Sequence, residues 1–212
     1  MCLGLQIKMI LKTYKLGALT VNCYVSINEQ TGEAVAIDVG ANPSFLALEE
    51  LKHNFKIKAI LLTHGHFDHV GGVGYFYDKG VDVYIGKNED KMIDNDELNL
   101  SAVFGEPIKK FKVKTLQDGD VINLAGINFE VIATPGHTKG SVTYKVNDML
   151  FCGDTLFKGS FGRVDFPTGN VKELINSAKK LFNIKGATLY SGHGETTTTD
   201  IEKNTNPINF YD

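Results

Sequence analysis

The stretch Thr63-His64-Gly65-His66-Phe67-Asp68-His69 constrains this chain more than any other. It follows directly on Ile57–Leu62, an apolar run of strand length. A buried strand must therefore end where a dense set of imidazole and carboxylate groups begins, and such groups are costly to bury unless they find partners. In extended backbone, side chains two apart point the same way, so His64 and His66 can grip one ion. Asp68 and His69 sit where the chain turns into a helix and can face a second. The plain alternative is a polar surface loop rich in histidine. Composition argues against it, because the whole chain has 6 histidines and half of them fall here.

Other segments repeat the arrangement. His137 lies in Thr134-Pro135-Gly136-His137-Thr138 after the strand-like run Phe129–Ala133. Asp154 lies in Cys152-Gly153-Asp154-Thr155 after Met149–Cys152, and His193 in Ser191-Gly192-His193-Gly194 after Ala187–Tyr190. Each candidate follows a strand in a glycine-bearing loop, and loops at one end of a rigid sheet are where sites are built.

Further strands are expected at Ile10–Tyr14, Val21–Ile27, Ala34–Val39, Val81–Ile85, Val121–Leu124 and Val142–Val146. One helix opens at Asn42-Pro43, with Asn42 as its cap and Pro43 at its first position, and Phe45, Leu48 and Leu51 recur along it at helical spacing. Others are expected after Gly71-Gly72, over residues 87–104, and over Asn170–Phe182. Hairpin-like strand pairs in both halves, with helices between them, predict an α/β (α+β) fold of two packed mixed sheets with helices on the outer faces, an αββα sandwich. A length of 212 residues suits a single domain, 1–212.

A net charge of −3 exerts no general pull toward nucleic acid or anionic membrane. The basic run Lys109-Lys110-Phe111-Lys112-Val113-Lys114 alternates as a half-buried strand does. No uncharged apolar run reaches the roughly 18 to 20 residues of a membrane span. Lys8 and Lys12 interrupt any signal-peptide core at the start, where Met1 or Met9 could initiate. Cys2, Cys23 and Cys152 are odd in number and scattered, which suits a reducing cytoplasm better than a disulfide scaffold. The expected partner is a small molecule, neither nucleic acid nor membrane, with the chain a monomer or homodimer.

The set H-x-H-x-D-H, then a later His, then Asp, then His, resembles the metallo-β-lactamase superfamily over most of the chain. The resemblance implies two divalent metal ions, zinc in first place with iron or manganese also suited. His64, His66 and His137 would hold the first ion, and Asp68, His69 and His193 the second. Asp154 would bridge both, so that Asp68 and Asp154 are the carboxylates of the catalytic centre. Asp38, in Ile37-Asp38-Val39-Gly40, would orient the histidine loop from behind. Cys152 is read as a small buried strand residue.

Within the superfamily the chain is similar to short glyoxalase II-like hydrolases. The likeness rests on Gly153-Asp154-Thr155-Leu156-Phe157, the loop Gly162-Arg163-Val164-Asp165-Phe166-Pro167, and Gly192-His193-Gly194 followed by Asn204-Thr205-Asn206-Pro207. It implies cleavage of a thioester, S-D-lactoylglutathione or a related acyl-thiol, by a bridging hydroxide. Arg163 is a candidate substrate-binding residue, and pairing with Asp165 is the equal alternative. Rival expectations are a mononuclear iron persulfide dioxygenase using His64, His137 and Asp154, and a non-catalytic or nucleic-acid-processing relative.

Overall fold

The computed structural model describes residues 8–105 and 107–211; Cys2 and the start at Met1 lie outside them. Six strands form the first sheet in sequence order: β1 (Met9–Leu16), β2 (Val21–Asn28), β3 (Glu33–Ile37), β4 (Lys56–Leu62), β5 (Asp82–Gly86) and β6 (Lys114–Leu116). The first three pair antiparallel and the rest parallel. The second sheet is built from β7 (Val121–Leu124), β8 (Ile127–Ala133), β9 (Val142–Val146) and β10 (Met149–Gly153). After a small hairpin, β11 (Leu156–Phe157) with β12 (Ser160–Phe161), it is completed by β13 (Thr188–Ser191) and β14 (Thr197–Thr198). Its order is β14-β13-β10-β9-β8-β7.

Strand periodicity explains the layering. On β3, Ala34 and Ala36 face one side while Val35 and Ile37 face the other, and all four are fully buried. Strands covered on both faces read as unbroken apolar runs. Val35, Ile37, Ala59 and Leu61 meet Phe129, Val131, Tyr144 and Phe151 in a core between the sheets. Outside the first sheet, Leu46 of helix α1 (Pro43–His53) packs with Val70 of α2 (Phe67–Val70) and with Val73 and Phe76 of α3 (Val73–Tyr77). Two single-turn helices follow, α4 (Asp90–Ile93) and α5 (Ser101–Phe104). Outside the second sheet, Leu174, Ala178 and Leu181 of α6 (Val171–Phe182) cover Leu150, Cys152 and Leu189. Helix α7 (Thr199–Thr205) and a final 3-10 turn, Pro207–Phe210, close the described chain. The layers run helix, sheet, sheet, helix, as the patterning predicts. Among the described residues no helix is long and apolar enough to cross a membrane.

Three local expectations differ from what is found. Residues 87–104 hold two single turns rather than one helix: Asn95 Oδ1 accepts the Glu97 and Leu98 amides at 3.0 Å, Asn99 Oδ1 accepts the Ser101 amide, and Leu100 has φ +68°. Side chains that bond their own backbone compete with helix formation. On α1 the Phe45, Leu48 and Leu51 stripe points outward, with Leu51 81% exposed. The inner face carries Leu46 and Glu50 instead, because Glu50 Oε1 accepts the Ile57 amide at 2.8 Å and so turns that face toward β4. Asn42 caps α1 without a side-chain bond, its own φ being +50°.

The intersheet core sets how firmly the strand ends are held. Phe129 is fully buried there. Phe129→Ala is expected to lower unfolding free energy by about 3–5 kcal/mol, read as a shift in the urea midpoint.

Candidate metal centre

The site lies where β4, β8, β10 and β13 end together. Cross-sheet bonds hold these ends: the Val142 amide donates to Thr63 O at 2.9 Å and the Tyr144 hydroxyl to Leu62 O at 2.8 Å. On the far side, the Tyr24 hydroxyl and Asn22 Nδ2 both donate to Ser191 O, at 2.7 and 2.9 Å, and pin the loop that carries His193. Space is tight enough to demand glycine at two places. A Cβ at Gly192 would strike Asp154 Oδ1, and one at Gly153, whose φ is +51°, would strike Thr63 Oγ1.

All seven candidate ligands come together. Donor atoms of His64, His66 and His137 lie within 4.8 Å of one another, and so do those of Asp68, His69 and His193. Asp154 stands between the two groups: its Oδ1 is 3.4 Å from His69 Nε2, and its Oδ2 is 3.7 Å from both His137 Nε2 and His193 Nε2. His64, His66, His69 and His137 are buried, while Asp68, Asp154 and His193 are half-buried on the floor of a cleft of about 950 Å3.

The hydrogen bonds behind the rings assign their tautomers. Asp38 Oδ1 accepts the Thr63 amide at 2.8 Å, and Oδ2 accepts both Thr63 Oγ1 at 2.7 Å and His69 Nδ1 at 2.9 Å. Thr63 Oγ1 has thus given its hydrogen away and accepts from His64 Nδ1 at 3.1 Å. His137 Nδ1 donates to Arg163 O at 2.7 Å, and His193 Nδ1 to Leu19 O at 3.0 Å. Four rings are therefore protonated at Nδ1 and turn Nε2 inward; His66 instead directs Nδ1 at His137 Nε2, 3.0 Å away.

What the inward atoms lack is a partner. His64 Nε2, His66 Nε2, His69 Nε2 and Asp154 Oδ1 are buried without a hydrogen bond. Buried polar atoms are otherwise almost always bonded, and nitrogen and oxygen atoms gathered without partners are what a cation requires. The donor set, nitrogen and oxygen without thiolate, fits divalent zinc, iron or manganese. Cys152 takes no part: burial pushes its thiol up to about 12, and its Sγ approaches Leu156 O at 3.4 Å.

The sequence carries the same reading. The pattern of the Metallo-beta-lactamase superfamily matches residues 16–193. The chain belongs to that superfamily. Hydroxyacylglutathione hydrolase GloC of Haemophilus influenzae is 35% identical over 197 residues, covering 88% of this chain and 92% of its own. The BLEG-1 B3 metallo-beta-lactamase superposes with a TM-score of 0.88 at 33% identity, covering 93% of this chain and 98% of that one. TTHA1623, solved in a di-iron-bound form, superposes with a TM-score of 0.83 at 33% identity, covering 92% and 98%.

This member of the superfamily splits its seven groups electrostatically. Burial, with the neighbouring rings, keeps His64 well below its ordinary value and takes His66 down to about 3; burial also lowers His137. At His69 burial works in the same sense, but Asp154, Asp68 and Asp38 outweigh it and hold the imidazolium well above the usual range. His193 is raised against burial by Asp68 and Asp154. Burial opposes the ionisation of Asp68 and Asp154, and His69 foremost overcomes it in both. The first triad thus resists protonation, whereas in the second opposite charges support one another against burial; a site of either kind binds metal only with its ligands deprotonated.

Sequence reasoning missed Glu89, which is fully buried behind the site. Its Oε2 accepts the Gly65 amide at 2.9 Å and its Oε1 the Gly140 amide at 2.7 Å, tying the His64–His69 loop to the loop that follows His137. Burial raises its pKa against those two bonds. Its place three residues after Gly86, the end of β5, is the one trace of this role in the sequence, and the same is true of many surface acids.

Two outcomes are expected. Because the folded pKa of His69 is raised, its proton is bound at neutral pH and must leave when metal enters. Adding Zn2+ to chelator-stripped protein in weak buffer with a pH indicator should release at least one proton, and affinity should fall as pH is lowered. Glu89→Ala leaves two buried amides unpaired, at about 1–3 kcal/mol each. It should weaken metal binding about 10–100-fold, read by chelator competition on protein whose circular dichroism stays native.

Proposed function

We propose that this chain is a metallo-hydrolase that cleaves thioesters, with His64, His66 and His137 holding one divalent ion, Asp68, His69 and His193 a second, and Asp154 shared between them. The observation that carries the proposal is the set of partnerless nitrogen and oxygen atoms on His64, His66, His69 and Asp154, gathered beside an open cleft that His66 and Asp154 line. Two such ions, when held, supply a hydroxide at neutral pH and polarise an acyl oxygen.

The protein's own part is positioning. Asp38 and Thr63 fix His64 and His69, the Arg163 carbonyl fixes His137, and the Leu19 carbonyl fixes His193. Hydrolysis adds water oxygen to the acyl carbon and breaks the bond from that carbon to sulfur. Thiolate leaves without a proton, since an ordinary thiol ionises near pH 8.5. An amine leaving group would need protonation. Among the described residues lining the cleft, Lys109 and Arg163 are the only ionisable groups besides the proposed ligands. Arg163 does not give up its proton, and Lys109 is paired with Asp78. That favours a thioester over the amide of a β-lactam, and GloC supports the choice by its name. The buried free thiols Cys23 and Cys152 accord with a reducing, cytoplasmic setting.

The test pairs metal analysis with turnover. Protein loaded with two equivalents of zinc or iron should hydrolyse thioesters and leave a chromogenic cephalosporin almost untouched. Asp154→Asn should lower kcat/KM at least about 100-fold, the scale of removing a preorganised charge from such a site. Oxygen uptake with glutathione persulfide at one iron per chain, without thioester cleavage, would replace this reading by a dioxygenase.

A further inference from the structure

The walls of the cleft are chemically unlike its floor. Phe157 lies edge-on to His193, with ring centroids 6.1 Å apart, and Phe166 edge-on to His66 at 6.0 Å. Phe104 extends the second wall, 5.7 Å from Phe166, and Phe161 and Leu19 also line the cleft. Phe166 thus stands beside a histidine of the first triad and Phe157 beside one of the second. A carbonyl carbon held between the triads therefore has an aromatic ring near the groups of each. Leu19 and Phe104 remain 52% and 56% exposed, apolar area available to a ligand.

Cationic contacts at the cleft are already taken. Arg163 gives Nε and Nη2 to both oxygens of Asp165, at 2.7 and 2.6 Å, and its guanidinium lies 3.8 Å from the Phe166 ring centroid. Lys109 Nζ pairs with Asp78. Apart from the metal-facing histidines, these are the two cationic side chains among the described residues lining the cleft. A thiol carrier with two carboxylates, such as glutathione, would meet in this lining only cations that already face a carboxylate.

From this we infer that, on the thioester reading above, the substrate is an acyl-thiol with uncharged apolar groups on both sides of the scissile bond and an aromatic-sized acyl group. Phe104, Phe157 and Phe166 are its specificity-determining residues. Burial of such a group against ring faces is favourable in proportion to the apolar area removed from water, and stacked or edge-on aromatic contacts add to it.

The experiment compares acetyl, D-lactoyl and phenylacetyl thioesters of N-acetylcysteamine, together with S-D-lactoylglutathione, on metal-loaded protein. The phenylacetyl compound should exceed the acetyl compound in kcat/KM by about tenfold or more, the discrimination an apolar pocket gives for small hydrocarbon increments. Lactoylglutathione should be no better than lactoyl-N-acetylcysteamine. Phe104→Ser and Phe157→Ser should each reduce the phenylacetyl-to-acetyl ratio about tenfold. As a readout independent of turnover, the thioether S-(2-phenylethyl)-N-acetylcysteamine should bind with a negative heat-capacity change by calorimetry, and the same substitutions should weaken it. A flat acyl series, a ratio unmoved by either substitution, or a tenfold preference for lactoylglutathione over its N-acetylcysteamine counterpart would overturn the inference while thioester hydrolysis stands. Failure of fully loaded protein to cleave any thioester is a separate result, and it defeats the reading under Proposed function as well.

Discussion

Five imidazoles and two carboxylates meet at the floor of one cleft, and the surrounding fold is organised by keeping their lone pairs pointed inward. Asp38 is the hub of that arrangement. One buried carboxylate accepts three bonds, from the Thr63 amide, the Thr63 hydroxyl and His69. Through the hydroxyl it also decides which nitrogen of His64 carries hydrogen. Asp38 holds this place with φ +57°, a conformation uncommon for a residue with a side chain. Strained backbone persists only where its surroundings over-determine it. Here they do: the Asp38 amide donates to Leu61 O at 3.0 Å, and the sheet runs on either side.

The candidate ligands were legible because each of their four segments follows an apolar run and contains glycine, a pattern of residue types that needs no coordinates. The layers were legible because strands fall in hairpin-like pairs in both halves with helices between them, and such elements bury their apolar faces by stacking in layers. Glu89 was not, because a single acid in a polar stretch looks like every surface acid. Its two backbone partners, Gly65 and Gly140, are 24 and 51 residues away. The α1 stripe misled for a related reason. Phe45, Leu48 and Leu51 set the apparent face, yet a buried bond from the Ile57 amide to Glu50 outweighed them. Bonds between distant residues decide such cases, and periodicity does not contain them.

The division of charge within the site follows from depth and company. His64, His66 and His137 are surrounded by other imidazoles and by little water, so each resists protonation. His69 is as deeply buried but stands among three carboxylates, and company prevails over depth. Groups of opposite charge that face one another cost less to bury than they would singly.

The loop Gly162–Pro167 shows why a recognisable motif need not report substrate. Its most consequential atom is a backbone oxygen, the Arg163 carbonyl that holds His137. The Arg163 side chain clasps Asp165 and lies on Phe166, which fixes the loop and hence that carbonyl. Each pair is exposed and weak alone, but bidentate geometry with a ring beneath it supplies orientation. A motif of arginine, aspartate and phenylalanine at this spacing is thus accounted for by the positioning of His137, a candidate ligand. Hydrolases and dioxygenases built on the same cage would need it equally, so the chemistry must be argued from the cleft walls and the leaving group.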